Sequence, residues 1–205
     1  MNTSKDIYEE LLMRYPVLEC CKEEIYIAYK IMRECYCSGG KVLACGNGGS
    51  AADAEHIVGE LMKGFLLSRN IEFSAANGDD EILTHLQGAL PAVALNTHSA
   101  LLTAFANDLE FDYAYAQQVY GLGRKGDALI ALSTSGNSSS IVNAVRAAGA
   151  KDIMSIGITG SRISRLSEIC TVCIRLPEAE TFKIQELTLP VYHCLCAMLE
   201  ADFFS

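Results

Sequence analysis

Two short stretches, Gly46-Asn-Gly-Gly-Ser50 and Ser133-Thr-Ser-Gly-Asn-Ser138, give the strongest indication of the fold and of the ligand class. Each follows an apolar run typical of a buried strand and precedes a run with helical periodicity. Such a strand-turn-helix unit presents free backbone N–H groups at the positive end of a helix dipole, where anions bind. Neither stretch has a Walker lysine or a Gly-x-Gly-x-x-Gly pattern, so the pair favours a sugar phosphate over a nucleotide.

The bulk composition predicts one domain spanning residues 1–205. The chain has 205 residues, and half of them are hydrophobic, which is enough for one core of ordinary size. Its net charge of -9 disfavours general nucleic-acid binding, because a polyanion needs a basic surface to displace its counterions. A small phosphate held by local N–H and hydroxyl groups is compatible with that charge.

The nine cysteines and the N-terminal sequence predict a cytoplasmic protein with reduced thiols. The cysteines form no evident disulfide framework. The first residues lack the apolar core of a signal peptide, and no run reaches the roughly 18 apolar residues of a membrane span. We interpret Cys170 and Cys173, the only C-x-x-C pair, as structural residues of a buried strand, since no second pair completes a zinc site.

Residues 41–205 alternate short apolar runs with helical ones, after two helical segments within residues 1–40. This alternation predicts a flavodoxin-like α/β fold, with a parallel five-stranded sheet covered by helices on both faces and ligands bound beyond the carboxyl ends of the strands. The irregular stretch 67–88 is predicted to be a surface excursion or mobile flap. The predicted strands are 41–45, 91–95, 127–133, 152–159 and 171–176, and the predicted helices are 6–15, 18–37, 50–65, 100–106, 113–120, 138–148, 162–169 and 181–204.

Polar residues on the helix after the first turn suggest a reactive site. His56 and Glu60 are four residues apart and therefore project from one helical face, within three turns of the predicted anion site. For an isolated pair of this spacing, the alternative of a solvated ion pair is the better interpretation. Because a predicted anion site lies nearby, we interpret His56 and Glu60 as part of a reactive site instead.

The last predicted helix supplies further polar groups within an apolar segment, namely Gln185, Glu186 and His193. Pro190 removes a backbone hydrogen bond and predicts a kink between Gln185 and His193 that could aim both side chains at one point. The alternative is that Pro190 only relieves packing and that His193 is a satisfied core histidine.

Four segments of the chain resemble bacterial phosphoheptose isomerases of the sugar-isomerase (SIS) domain superfamily, in order and at matching spacing. The Ser-rich turn alone marks the superfamily broadly. His56 and Glu60 at six and ten residues after Ser50, with eight residues from Gln185 to His193, narrow the resemblance to the heptose branch. The segments are Gly46-Asn-Gly-Gly-Ser-Ala-Ala-Asp-Ala-Glu-His-Ile-Val-Gly-Glu-Leu61, Ala104-Phe-Ala-Asn-Asp108, Leu132-Ser-Thr-Ser-Gly-Asn-Ser138 and Ile184-Gln-Glu-Leu-Thr-Leu-Pro-Val-Tyr-His193.

The resemblance implies a homotetramer with active sites at subunit interfaces that interconverts sedoheptulose 7-phosphate and a heptose 7-phosphate. It implies that Glu60 and His193 are the acid/base pair. It also implies that zinc binds in some members, through residues matching His56, Glu60, Gln185 and His193. The residues implied to bind substrate are Asn47, Gly48, Gly49, Ser50, Ser133, Thr134, Ser135, Ser138 and Gln185.

The chemistry of such a reaction is consistent with these residue types. Moving a carbonyl between C1 and C2 requires one group to remove a proton next to the carbonyl and return it to the neighbouring carbon. Glu60 is the better candidate for that transfer, and His193 can shuttle a proton between the two oxygens.

The chain also departs from the pattern of the family it resembles. Many members carry an arginine at the position of Gly64, and many have an aspartate in the turn where this chain reads Asn96-Thr-His-Ser99. We hypothesise that Lys63 or Arg69 supplies the missing charge and that His98 contacts the sugar.

A second function hypothesis comes from a different class. The SIS superfamily includes non-catalytic proteins that sense a sugar phosphate or bind a protein partner such as the replication initiator. The presence of His56, Glu60, Gln185 and His193 together favours the enzyme, because a sensor needs the serines and not an acid/base pair.

Overall fold

The structure is a computed structural model that describes residues 3–70 and 81–205. The central part of the predicted 67–88 excursion therefore lies outside the described residues. Within the described part of that stretch, residues 81–85 form a short helix.

The core of the fold is a five-stranded parallel sheet, as predicted. Its strand order is β2-β1-β3-β4-β5, the order of flavodoxin-like folds. All four neighbouring pairs are parallel. The strands are β1 (Val42–Cys45), β2 (Ala92–Ala94), β3 (Ala128–Leu132), β4 (Met154–Thr159) and β5 (Val172–Arg175).

The helices follow the predicted pattern, but two of them start later than predicted and the predicted 50–65 helix ends early, at Met62, because Lys63 is extended. Residues Pro16–Cys21 form a separate 3-10 turn, so the predicted 18–37 helix begins only at Lys22. The predicted 162–169 helix begins later, because the Ser164 side chain caps it. The helices are α1 (Ser4–Arg14), α2 (Lys22–Cys37), α3 (Gly49–Met62), α4 (Glu81–His85), α5 (Ser99–Asp108), α6 (Ala114–Leu122), α7 (Ser139–Gly149), α8 (Arg165–Ile169) and α9 (Thr181–Phe204).

The two faces of the sheet bury different helices. Alternate residues of β1 show the division, since Val42 and Ala44 pack with α1, α2, α3 and α9. Leu43 and Cys45 point to the other face and pack with α6, α7 and α8. This alternation follows from the two-residue period of a strand, and it confirms the predicted cover of helices on both faces.

Helix α9 is the central core helix of the first face. It runs unbroken from Thr181 to Phe204 through Pro190, so the predicted kink does not divide it. By length and composition alone it could cross a membrane, but 67% of its apolar window is buried inside the fold. That burial is the pattern of a core helix.

The register of the sheet places the two predicted anion turns side by side. Strands β1 and β3 are hydrogen-bonded neighbours, and Cys45 at the end of β1 is paired with Ala131 near the end of β3. Because the strands are parallel, the turns that follow them leave the same edge of the sheet. The residues of both turns therefore face one region.

Candidate functional site

The first turn is shaped by a glycine and held by a tyrosine from another helix. Gly48 has a φ of 57°, in the left-handed region that favours glycine, and α3 begins at the next residue. The Tyr115 hydroxyl donates to the Gly46 carbonyl at 2.9 Å and lies 3.2 Å from Asn47 Oδ1. The turn is therefore held at its amino-terminal side, just before Gly48.

Asn47 joins the first turn to the second. Its Nδ2 donates to Ser138 Oγ and to Ser140 Oγ, each at 3.0 Å. The two predicted anion turns thus form one continuous polar surface, as their sequence context predicted.

Ser138 directs its hydroxyl into this surface instead of capping its own helix. It occupies the N-cap of α7 but makes no side-chain cap hydrogen bond. By contrast, Thr3 and Ser164 cap their helices through their side chains in the usual way. The start of α7 therefore keeps N–H groups that an anion could satisfy.

The acid/base candidates converge within one chain. His56 Nε2 lies 3.1 Å from Glu60 Oε1 on the same helix and 3.4 Å from His193 Nε2 on α9. His56 Nδ1 lies 2.9 Å from the Tyr192 hydroxyl, which also donates to Asp53 Oδ1 at 3.4 Å. The structure therefore brings both candidate groups into contact with one imidazole.

The surroundings of this cluster shift three pKa values, and burial raises that of the Tyr192 hydroxyl above its ordinary value. Burial, together with the neighbouring His56, lowers the pKa of His193 below its ordinary value, and the Glu60 carboxylate only partly opposes this change. Burial raises the pKa of Asp53, against the hydrogen bond from Tyr192 and the charge of His56. A lowered pKa favours the neutral imidazole, which can accept a proton.

Gln185 connects the acid/base cluster with the anion turns. It lies against Gly49, where an added Cβ would be only 2.3 Å from Gln185 Nε2. Helices α3 and α9 thus touch at Gly49 and Gln185, and again at His56 and His193. Because these contacts are seven residues apart on α3, they are separated by about 10 Å along that helix.

Two cavities border the site. One of about 210 Å³ contains Thr134 and Ser135 of the second turn. A larger one of about 490 Å³ reaches His193 and is lined mainly by apolar side chains of α1, α9 and residues 65–67. No residue of the two anion turns lines the larger cavity.

Comparison with known proteins identifies the family. The SIS domain family matches residues 12–89 and 82–160. The phosphoheptose isomerase of Rhodospirillum rubrum is 42% identical over 163 residues, covering 80% of this chain and 77% of that protein. The chain belongs to the phosphoheptose isomerase family.

Two further relatives extend the match to nearly the whole chain. The phosphoheptose isomerase of Shewanella baltica is 36% identical over 204 residues, which are 98% of this chain and 94% of that protein. The structure of phosphoheptose isomerase GmhA from Neisseria gonorrhoeae superposes with a TM-score of 0.73 at 33% identity, covering 96% of this chain and 91% of the other. This chain is therefore similar to phosphoheptose isomerases in both sequence and fold.

The two basic residues hypothesised to replace the family arginine have different positions. Lys63 Nζ lies 3.2 Å from Glu60 Oε2, so it is at the site. Arg69 is 1% exposed, and its guanidinium donates to Glu200 and to backbone carbonyls. The hypothesis for Arg69 is wrong, because a buried guanidinium whose three nitrogens all donate within the fold cannot contact a sugar. His98 Nδ1 lies 2.6 Å from Gln118 Oε1, and a sugar contact stays a prediction.

Three residues of this candidate site were missed in the sequence. Ser140 extends the serine run by two residues, and Tyr192 precedes His193, so both stood beside predicted residues. Tyr115 was interpreted as helix packing or a subunit contact. Its role in holding the first turn depends on a contact across 69 positions, which no local pattern reveals.

The contact between Gly49 and Gln185 leads to a testable prediction. Gly49→Ala should displace the Gln185 amide and lower kcat/KM for the sugar phosphate at least tenfold, while the fold is retained, because the side-chain end can move. Gly59→Ala in the same helix is the matched control, since nothing lies within 4 Å of its added Cβ. The control should stabilise α3 by about 1 kcal/mol without loss of turnover. A wild-type kcat/KM in Gly49→Ala would show that Gln185 does not contribute to the site.

Proposed function

We propose that this chain interconverts sedoheptulose 7-phosphate and D-glycero-D-manno-heptose 7-phosphate by aldose-ketose isomerisation. Its family is one of isomerases, and the chain is an enzyme of that class. The observation that carries the proposal is the contact of His56 with both Glu60 and His193, about two helical turns from the anion turns. That span suits a seven-carbon chain with phosphate at one end and the reacting carbons at the other.

The proposed proton transfers use the two candidate groups in sequence. Glu60 removes the proton from C2 of the aldose, and the electron pair forms the C1–C2 double bond of an enediol as the carbonyl oxygen at C1 gains a proton. His193 carries protons between the oxygens at C1 and C2, and Glu60 returns its proton to C1 to give the ketose. A neutral His193 suits this role, because it can accept one proton and release another.

The proposed phosphate grip lies at the starts of α3 and α7. Hydroxyls of the two turns and backbone N–H groups would bind the phosphate, far from the reacting carbons. Binding energy from this remote group would position C1 and C2 against Glu60 and His193. The hydroxyl side chains proposed for the grip are Ser50, Ser133, Thr134, Ser135 and Ser138.

The role of Glu60 can be tested with Glu60→Gln. We expect phosphate binding to be retained and turnover to fall by about 10²- to 10⁴-fold, since the amide cannot remove a proton. The measurements are conversion of sedoheptulose 7-phosphate and incorporation of deuterium at C2 of the product in deuterated water.

Glu9→Gln is the matched control, because Glu9 is an exposed residue of α1 whose carboxylate lies 3.5 Å from Lys5 Nζ. It should leave turnover unchanged. Undiminished turnover in Glu60→Gln would refute the assignment. Binding of sugar phosphates by the wild type without any conversion would favour the sensor hypothesis.

We also propose that zinc binds to His56, Glu60, Gln185 and His193. No group of three or more His, Cys, Asp or Glu side chains that could hold a metal is found among residues 3–70 and 81–205, so these side chains would have to draw together. Their chemistry fits, with two imidazoles and a carboxylate. The 3.4 Å between the His56 and His193 nitrogens also matches the ligand spacing of about 3.4 Å in a tetrahedral zinc site. Bound zinc would polarise the sugar oxygens.

Metal content is the measurement for the zinc proposal. His56→Ala should lower the zinc content of protein loaded with one equivalent and dialysed, at least tenfold relative to the wild type. His85→Ala is the control, because His85 lies on α4 outside the proposed ligand set. Equal zinc content in the two variants would contradict the proposal, whatever their activities.

We propose further that the enzyme is a cytoplasmic homotetramer. All nine cysteines are free thiols in the structure, as suits a reducing compartment. The support for assembly is α5, which has no buried residue although it is apolar. Leu109 and Phe111 just beyond α5 are 66% and 40% exposed. Such a surface is typical of a subunit interface.

The assembly can be tested by light scattering on gel-filtered protein. We expect a mass of four times the 22.2 kDa chain for the wild type and a lower mass for Leu109→Asp, because a carboxylate would be buried in the interface. Met154→Asp is the control, since Met154 is also exposed but lies at the amino end of β4. A monomeric wild type would end the proposal.

A further inference from the structure

A buried ion pair links the segment that follows α3 to the end of α9. The side chains of Arg69 and Glu200 are 0% and 1% exposed, and Arg69 Nε donates to Glu200 Oε1 at 2.7 Å. Burying both charges carries a large desolvation cost, which only good geometry and further hydrogen bonds can offset. The other partners of the two groups therefore reveal what the pair holds in place.

The carboxylate organises the backbone just after α3. Glu200 accepts hydrogen bonds from the N–H groups of Phe65 and Leu66 at 2.7 Å each and from Leu67 at 3.0 Å. Burial raises the pKa of Glu200, but these N–H donors and Arg69 outweigh burial, and the net shift is downward. The carboxylate is thus ionised, and both of its oxygens accept hydrogen bonds from the segment that follows α3.

The guanidinium of Arg69 caps the carboxyl end of α3. Arg69 Nη1 donates to the Leu61 carbonyl at 2.7 Å, and Nη2 donates to the Glu60 carbonyl at 2.9 Å. These carbonyls belong to the last turn of α3, where they lack helical partners and where a cation is favoured by the helix dipole. One of them is the backbone of the proposed base itself.

The same pair lies in line with the acid/base cluster on α9. Glu200 is seven residues after His193, so the two side chains project from nearly the same face, about 10 Å apart along the helix. Arg69 and Glu200 therefore connect the backbone that carries Glu60 with the helix that carries His193. We call this pair the α3–α9 clamp.

We propose that Arg69 and Glu200 are positioning residues that set the separation of Glu60 and His193. This inference rests on the proposed function, because it assigns the clamp to the geometry of that reaction. A stability role alone explains the arrangement poorly, since buried ion pairs add little stability over apolar side chains of similar volume. A fixed geometry is what the clamp supplies.

Glu200→Gln tests the clamp through the kinetics. It weakens the bonds to Arg69 and to the backbone, so Glu60 should move relative to His193 and kcat should fall about 10- to 100-fold. KM should change less than threefold, because the anion turns lie at the other end of α3, about 20 Å away. Both constants are measured per folded molecule, well below the melting temperature.

Asp127→Asn is a closely matched control. Asp127 is 4% exposed, pairs with Lys41 Nζ at 2.6 Å, and accepts backbone N–H groups from Lys41 and Arg124. It lies at the amino end of β3, away from the site. The control should lose stability like Glu200→Gln but keep kcat. An equal loss of kcat in both variants, or none in Glu200→Gln, would overturn the proposal.

A second readout does not depend on turnover. The chain has four histidines, so proteins labelled on the histidine rings give few signals, and the rings of His56 and His193 have centroids 5.0 Å apart. Their nuclear Overhauser contact should be lost in Glu200→Gln and kept in Asp127→Asn. If the wild type isomerises no heptose phosphate, the proposed function fails, but the histidine contact still tests the clamp. Persistence of that contact in Glu200→Gln would overturn the clamp proposal.

A conservative variant covers the case in which Glu200→Gln does not fold. Arg69→Lys keeps the charge but cannot reproduce the fixed fork that reaches Glu200 and two carbonyls together. Arg69→Lys should lower kcat and weaken the histidine contact, both less than Glu200→Gln does. Wild-type kcat and an intact contact in folded Arg69→Lys would likewise overturn the proposal.

Discussion

The parallel pairing of β1 with β3 is the constraint on which the site depends. It places two turns at one edge of the sheet, and the Asn47 amide then joins them through Ser138 and Ser140. Helix α3 starts at the first turn, so His56 and Glu60 lie at fixed distances from that edge along the helix. The anion end and the acid/base end of the site are therefore two points on one rigid helix.

Helix α9, near the carboxyl terminus of the chain, completes the site by packing against α3. Its first turns contact α3 through Gln185, its middle contacts His56 through His193, and its last turns reach α3 through Glu200 and Arg69. Most of α9 is also core. The packing that stabilises the fold is thus the same packing that aligns the proposed catalytic groups.

The sequence was sufficient for the parts of this arrangement that depend on local patterns. Short apolar runs separated by helical ones predict the five parallel strands, and glycine-rich and serine-rich turns predict the anion surface, because strand burial and turn chemistry are local properties. The positions of His56 and Glu60 on one helical face also follow from spacing alone. Family resemblance added their pairing with His193.

Contacts between distant residues could not be predicted in this way. Arg69 stood in a polar, irregular stretch that predicted exposure, yet it is buried against Glu200, 131 positions away. Tyr192 lay beside a predicted residue, but its hydrogen bond to His56 spans 136 positions. A side chain's partner across the fold is set by how helices pack, and neither periodicity nor composition contains that information.

The starts of α3, α7 and α9 each follow the carboxyl end of a strand and so share one edge of the sheet. Their aligned dipoles create a local attraction for anions in a molecule whose net charge of -9 repels them at a distance. The two effects have different ranges, and dissolved salt screens the distant repulsion first, beyond a Debye length of about 8 Å at physiological ionic strength. We therefore expect moderate salt to accelerate the capture of a phosphorylated ligand, the reverse of the behaviour of enzymes that steer anions with a basic surface.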